Sequence, residues 1–180
     1  MKQYKNALRS KKMLKDALID LLSTGIKFED ITITMLITKA DVNRGTFYNH
    51  YNNIMDVANE IKDELLKRLY ASLEESLKTT RTIENLFEGI TKFFKENESV
   101  YKKLAPIVPK QIYDGMKEQA IHELKSIKRC TTKEELLRIQ FLANSIAGTY
   151  IDYFENRISF TLDELKDFSI KTIKLFTEMK

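Results

Sequence analysis

Apolar residues recur every three or four positions along almost the whole chain, which is the period of helices packed on one face. Leu14, Ala17, Leu18, Leu21 and Leu22 form the face of a first helix, and Gly25 suits the cap that ends it. A connector with Phe28 and Ile31 follows, and Thr32 suits the N-cap of a brief helix through Ala40. Ile54, Ala58, Ile61, Leu65, Leu69, Leu73 and Leu77 keep helical spacing over about six turns. The run "KTTRT" at 78–82 breaks that helix, and Ile83, Leu86, Phe87, Ile90, Phe93 and Phe94 begin another. After "LAPIVP", Pro109 suits the first turn of a helix with Ile112, Tyr113, Met116, Ala120, Leu124 and Ile127 on one face.

Two T-x-x-E boxes, Thr132 with Glu135 and Thr161 with Glu164, announce the last two helices. The first of them, about 133–157, is apolar around more than one stripe: Ile139, Phe141, Leu142, Ala143, Ile146, Ala147, Tyr150, Ile151 and Phe154. The second carries Leu162, Leu165, Phe168, Ile173, Phe176 and Met179. No segment of useful length alternates with the period of a strand. The pattern predicts an all-α fold of about nine helices.

One stretch breaks the regularity. In "ITKADVNRGTFYNHYNN", residues 37–53, the turn residues Asp41, Asn43 and Gly45 are interleaved with Val42, Phe47, Tyr48 and Tyr51. Two short helices at a sharp angle account for the mixture. Asn43 caps the second, Val42 and Phe47 staple its start, and Asp41 tolerates the left-handed turn. Phe47 and Tyr51, four apart, then face inward. Arg44, Thr46, Tyr48, Asn49 and His50 lie elsewhere around the short helix, and Gly45 leaves room for a close external approach. This is the form of a helix-turn-helix, although a compact corner packed in a core would carry the same residues.

Charge bears on the choice, although a solvated helix end near the N-terminus would carry the same asymmetry. Of 30 Lys/Arg and 26 Asp/Glu in 180 residues, nine and five fall within residues 1–51, so the whole formal excess of +4 sits there. Lys2, Lys5, Arg9, Lys11, Lys12 and Lys15 all precede the first acid, Asp16. A basic part on a balanced chain points to a polyanion. Arg44 can bond guanine in bidentate fashion, the Thr46 methyl can meet thymine, and Tyr48 and His50 can donate to phosphates.

The segment "ITITMLITKADVNRGTFYNHYNN" resembles the N-terminal domain of TetR-family transcriptional regulators, through Thr32, Ala40, Val42 and the run Arg44-Gly45-Thr46-Phe47-Tyr48 with His50 and Tyr51. The resemblance implies a three-helix DNA-binding domain over 1–52 and a helical ligand-binding and dimerisation domain over 53–180. It implies that Asn43, Arg44, Gly45 and Thr46 face bases and that Tyr48 and His50 meet the backbone. Thr32, Thr34 and Asn49 fall in the same surface, with Lys11 and Lys12 on the basic arm. Asp41, Thr34 and Ile54 depart from the family's usual Gly, Arg and Lys, and the last two remove expected phosphate contacts.

Farther along, "FLANSIAGTYIDYFENRISFTLDEL" is similar to the last helix junction of one branch of the family, where the final helices pair two subunits. Ala143, Ala147 and Gly148 permit close approach, and Ile146, Tyr150, Ile151 and Phe154 supply apolar area, with Leu165, Phe168 and Phe176 from the last helix. A central helix of a monomer core would read the same way. An apolar or amphipathic small ligand is expected in the second domain, with Phe87, Tyr101, Tyr113, Met116 and Tyr150 as candidate lining residues.

An enzyme is not expected, nor is a cofactor or metal. His50, His122 and Cys130 are far apart in sequence, and no zinc spacing, phosphate loop or nucleophile elbow is present. Glu118 and Glu123 near His122 read as ordinary helix-surface carboxylates. No apolar run approaches the roughly 18 residues of a membrane span, and "MKQYKNALRSKK" has no apolar signal segment, so a cytoplasmic protein is expected. A helical interaction module without DNA affinity remains the other class, separated from the first by salt-dependent binding to duplex DNA.

Overall fold

The computed structural model describes residues 2–128 and 132–178, which leaves Cys130 and Met179 outside the described residues. Eight α-helices are present among them: α1 Lys2–Ser23, α2 Ile33–Ala40, α3 Arg44–Tyr48, α4 Ile54–Ser76, α5 Ile83–Leu104, α6 Pro109–Lys128, α7 Lys133–Phe154 and α8 Leu162–Glu178. The expected count of about nine is reached only with the single 3-10 turn at Phe28–Asp30 in the connector between α1 and α2. No strand occurs in the described chain, and the fold is all-α.

The helix ends follow local chemistry. Gly25 closes α1 at φ 85, and Thr32 accepts a hydrogen bond from the Met35 amide to open α2. Asn53 and Asp56 cap α4 reciprocally, Asn53 Oδ1 accepting from the Asp56 amide and Asp56 Oδ2 from the Asn52 amide. Thr132 and Glu135 form the expected capping box on α7, and Thr161 with Glu164 does the same before α8.

Two compact units result, Met1–Glu64 and Leu65–Lys180, and the division falls inside α4. In the first, Leu14, Leu18, Leu36, Phe47, Val57 and Ala58 make a closed core. Across that core α1 is tied to α4 by charge: Lys11 Nζ lies 2.6 Å from Glu60, and Lys15 reaches both Glu60, at 3.3 Å, and Glu64. Burial works against the Glu60 carboxylate, but the two lysines outweigh it and hold its pKa below the usual range.

In the second unit an aromatic cluster anchors the core. Phe94 meets Tyr101 and Phe154 edge-on, both at 5.0 Å between centroids, and Tyr101 stacks on Phe154 at 4.9 Å. Helices α4 and α6 come close at Gly115, where an added Cβ would lie 2.7 Å from Leu66 Cδ1. Tyr70 donates its hydroxyl to the Gly115 carbonyl at 3.1 Å at the same crossing. Arg138 near the start of α7 donates to the Phe176 carbonyl near the end of α8 at 3.2 Å, so these two helices run antiparallel.

Candidate nucleic-acid interface

Asp41 takes the left-handed conformation, φ 51 and ψ 48, and its amide bonds back to the Ile37 and Thr38 carbonyls. That single residue ends α2 and lets Asn43 start α3 three residues after Ala40. Asn43 Oδ1 accepts from both the Thr46 amide, at 2.7 Å, and the Thr46 hydroxyl, at 3.0 Å. Its amide nitrogen remains for an external acceptor. Phe47 is wholly buried and Tyr51 nearly so, with their rings 6.0 Å apart, which fixes the inner face of the short helix.

The outer face is then determined. Arg44, Gly45, Tyr48 and Asn49 are exposed and Thr46 half-buried, with Thr32 and Thr34 exposed on α2 beside them. The Arg44 guanidinium lies 5.9 Å from the Tyr48 ring centroid, so the two long side chains share one surface. Nothing inside the chain requires glycine at 45: an added Cβ would meet only Asn43 Oδ1, at 3.4 Å. The helix is only Arg44–Tyr48, shorter than the apolar spacing to Tyr51 suggests, because Asn49 and His50 already turn toward α4.

Two of the expected phosphate partners are engaged within the chain. His50 Nε2 lies 2.8 Å from Ser10 Oγ on α1. Lys11, besides pairing with Glu60, sits 5.3 Å over the Tyr51 ring. Both hold the head together. Lys12 is exposed and pairs with the exposed Asp16 one turn on, at 2.5 Å. Ser10, Lys15 and Glu60 form part of this support and carry no sequence signal of it, since their partners lie 40 to 49 residues away.

The second unit redistributes the residues expected at its two sites. Ala143, Ala147, Tyr150, Ile151, Phe154 and Leu165 are buried within one chain, none more than 6 % exposed, and so have no free surface for a second copy. Ile146 and Gly148 are half-buried. Phe168 and Phe176 are exposed as expected of contact residues, and Leu137, Phe141 and Leu175 join them. Leu136 and Leu137, within the first two turns of α7, are both exposed on this outward face.

Of the candidate ligand residues, Met116 and Tyr150 line one small cavity with Leu69, Leu73, Ile90 and Ala120. Phe87 and Tyr101 are buried elsewhere in the core, since neither borders it. Tyr113 is half-buried and donates to Asn144 Oδ1 at 2.9 Å. No cluster of His, Cys, Asp or Glu able to hold a metal occurs among the described residues, and no helix there is long and apolar enough to cross a membrane.

A tight turn between two short helices, presenting a polar, arginine-bearing face on a small helical head, followed by a larger helical unit, defines a helix-turn-helix architecture. No protein-family model and no curated protein matches the chain. Solved structures do. A TetR transcriptional regulator from Streptococcus agalactiae 2603V shares 21% identity and a TM-score of 0.70, over 96% of this chain and 98% of that one. A protein described as a TetR-family transcriptional regulator from Syntrophomonas wolfei str. Goettingen shares 18% identity over 93% and 94%, at TM-score 0.66. The dihydroxyacetone kinase operon activator DhaS shares 16% over 93% of each chain, at 0.61. The chain has the fold of TetR-family transcriptional regulators.

Proposed function

We propose that the protein is a DNA-binding transcriptional regulator that docks the outer face of α3, with α2 and Lys12 beside it, into a major groove. The observation that carries this reading is the exposed set Arg44, Gly45, Tyr48 and Asn49 on a helix whose other face is locked by Phe47. Gly45, unneeded by the chain itself, admits the close approach of a duplex. Arg44 reads guanine, Thr46 and the Asn43 amide meet neighbouring bases, and Tyr48 donates to phosphate. His50 acts through Ser10 as a support for this face.

The regulator works as a two-fold dimer joined by α7 and α8, whose exposed Leu137, Phe141, Phe168 and Leu175 offer an apolar surface that a second copy would cover. Two heads then reach successive major grooves about 34–36 Å apart, on a near-palindromic operator. Its sign is repression, relieved by a small ligand in the second unit. One structural neighbour is an operon activator, so a promoter-reporter assay is the reading of sign.

Selection of bound duplexes from a random library, followed by titration of the winner at several salt concentrations, tests the reading. A near-palindrome should emerge, with affinity falling linearly in log salt. A flat salt response and no enriched sequence would leave a helical interaction module in its place.

A further inference from the structure

Asn43 Oδ1 accepts twice from one residue, from the Thr46 amide at 2.7 Å and from the Thr46 hydroxyl at 3.0 Å, and both bonds lie at the surface. Only an oxygen can accept from an amide, so the two ends of the Asn43 side chain are distinguished. Capping α3 needs the first bond alone. The second fills the remaining lone pair of Oδ1 and commits the only proton of the Thr46 hydroxyl. What the pair offers to a docked molecule is then fixed in sign. Asn43 Nδ2 carries two donor protons, and Thr46 Oγ1 carries lone pairs and no free proton.

We propose that Asn43 and Thr46 act as one reader of a single adenine in each half-site, Nδ2 donating to N7 and Oγ1 accepting from the exocyclic amino group. The proposal rests on the docking reading above and names the base that this part of the surface selects. An asparagine ordinarily reads adenine with both ends of its own amide. Here Oδ1 is already saturated, and the Thr46 oxygen takes its place as acceptor, strengthened by the proton it gives to Oδ1.

The other three bases each fail one half of the pair. Guanine presents two acceptors in the major groove, so its O6 would face the lone pairs of Oγ1. To donate there, the hydroxyl would have to abandon Oδ1. Cytosine gives a donor to Oγ1 and leaves the Asn43 protons without an acceptor. Thymine does the reverse, with O4 for the amide and no donor for the hydroxyl oxygen. The approach to the pair is open, because Asn43 is exposed and its neighbour is glycine. A Cβ at position 45 would stand against Asn43 Oδ1, at 3.4 Å, and crowd the flank on which a base arrives.

The operator that emerges from selection supplies the test, with the full chain as binder. Each of its adenines is replaced in turn, in both half-sites, by 7-deazaadenine, which lacks the N7 acceptor. A second series uses 2-aminopurine, which pairs with thymine but has no amino group in the major groove. At one adenine per half-site, either analogue should weaken wild-type binding about tenfold. Asn43→Ser, which keeps an oxygen for the Thr46 amide, should be indifferent to 7-deazaadenine at that adenine. Thr46→Val should be indifferent to 2-aminopurine there, and Thr46→Ser should respond as the wild type does. The analogues leave the protein untouched, so a variant that fails to fold does not remove the test. No adenine sensitive to both analogues would overturn the proposal, as would indifference of the two variants at different bases. An enriched, salt-sensitive operator without such an adenine leaves the docking reading intact, whereas a selection that enriches nothing overturns both.

Discussion

Ser10 Oγ on α1 lies 2.8 Å from His50 Nε2, so the chain leaving α3 is moored to a helix 40 residues away. The bond orients the DNA-facing helix without touching DNA in the proposed docking. Ser10→Ala and His50→Ala should each lower operator affinity, by up to about tenfold for the loss of about 0.5–1.5 kcal/mol. The double variant should lose no more than either single one. An additive double variant, with a shallower salt slope for His50→Ala alone, would show His50 on phosphate instead.

Arg44 and Lys12 separate reading from attraction. Arg44→Ala should cost about 1–3 kcal/mol on the selected operator and relax preference at one base position. Lys12→Ala should weaken all duplexes alike and reduce the salt slope. Lys11→Ala is different in kind, because Lys11 pairs with Glu60: its first effect should be on thermal stability. Competition with operators altered base by base, beside melting curves, distinguishes the three.

Acid should loosen the head through Glu60. Its carboxyl is held below its ordinary value of 4.5, so the stabilisation is full above that pH and is lost as pH falls through the lower folded value. Glu60→Gln should therefore lower the melting temperature at neutral pH and narrow its gap from the wild type at pH 3. An unchanged gap would remove Glu60 from the acid response.

Surface and core on α7 and α8 can be told apart by two charges. Phe168→Glu places like charges in the proposed two-fold contact and should yield a folded monomer at micromolar concentration by sedimentation. Ala147→Glu buries an unpaired carboxylate inside one chain and should unfold it. A dimeric Phe168→Glu protein would place the subunit contact elsewhere.

What was legible in the sequence was what neighbours in sequence decide. Thr32, Asn43 and Thr132 cap because a side chain reaches an amide three residues on, and that reach is written in the spacing. The inward turn of Phe47 and Tyr51 follows from their separation by one helical turn. Helix α7 defeated the same logic, because apolar residues nearly surround it and periodicity cannot say which ones a subunit keeps for itself. Ala147 and Phe141 differ in fate, one covered and one 63 % exposed, only through the placement of α5, α6 and α8. The cavity was equally hidden. A void is a mismatch of shapes among four helices, so Met116 and Tyr150 border it while Phe87 and Tyr101, no less suited by composition, do not.

In the proposed docking, Asp41 sets one negative charge against the duplex. Its left-handed backbone is tolerated as readily by Asn, so charge and geometry can be separated there. The exposed carboxylate stands between α2 and the start of α3, and a docked phosphate about 8 Å away would be repelled by about 0.5 kcal/mol in water. Asp41→Asn should accordingly tighten binding to every duplex, operator or not, by about twofold per such phosphate at low salt, with the gain shrinking as salt is raised.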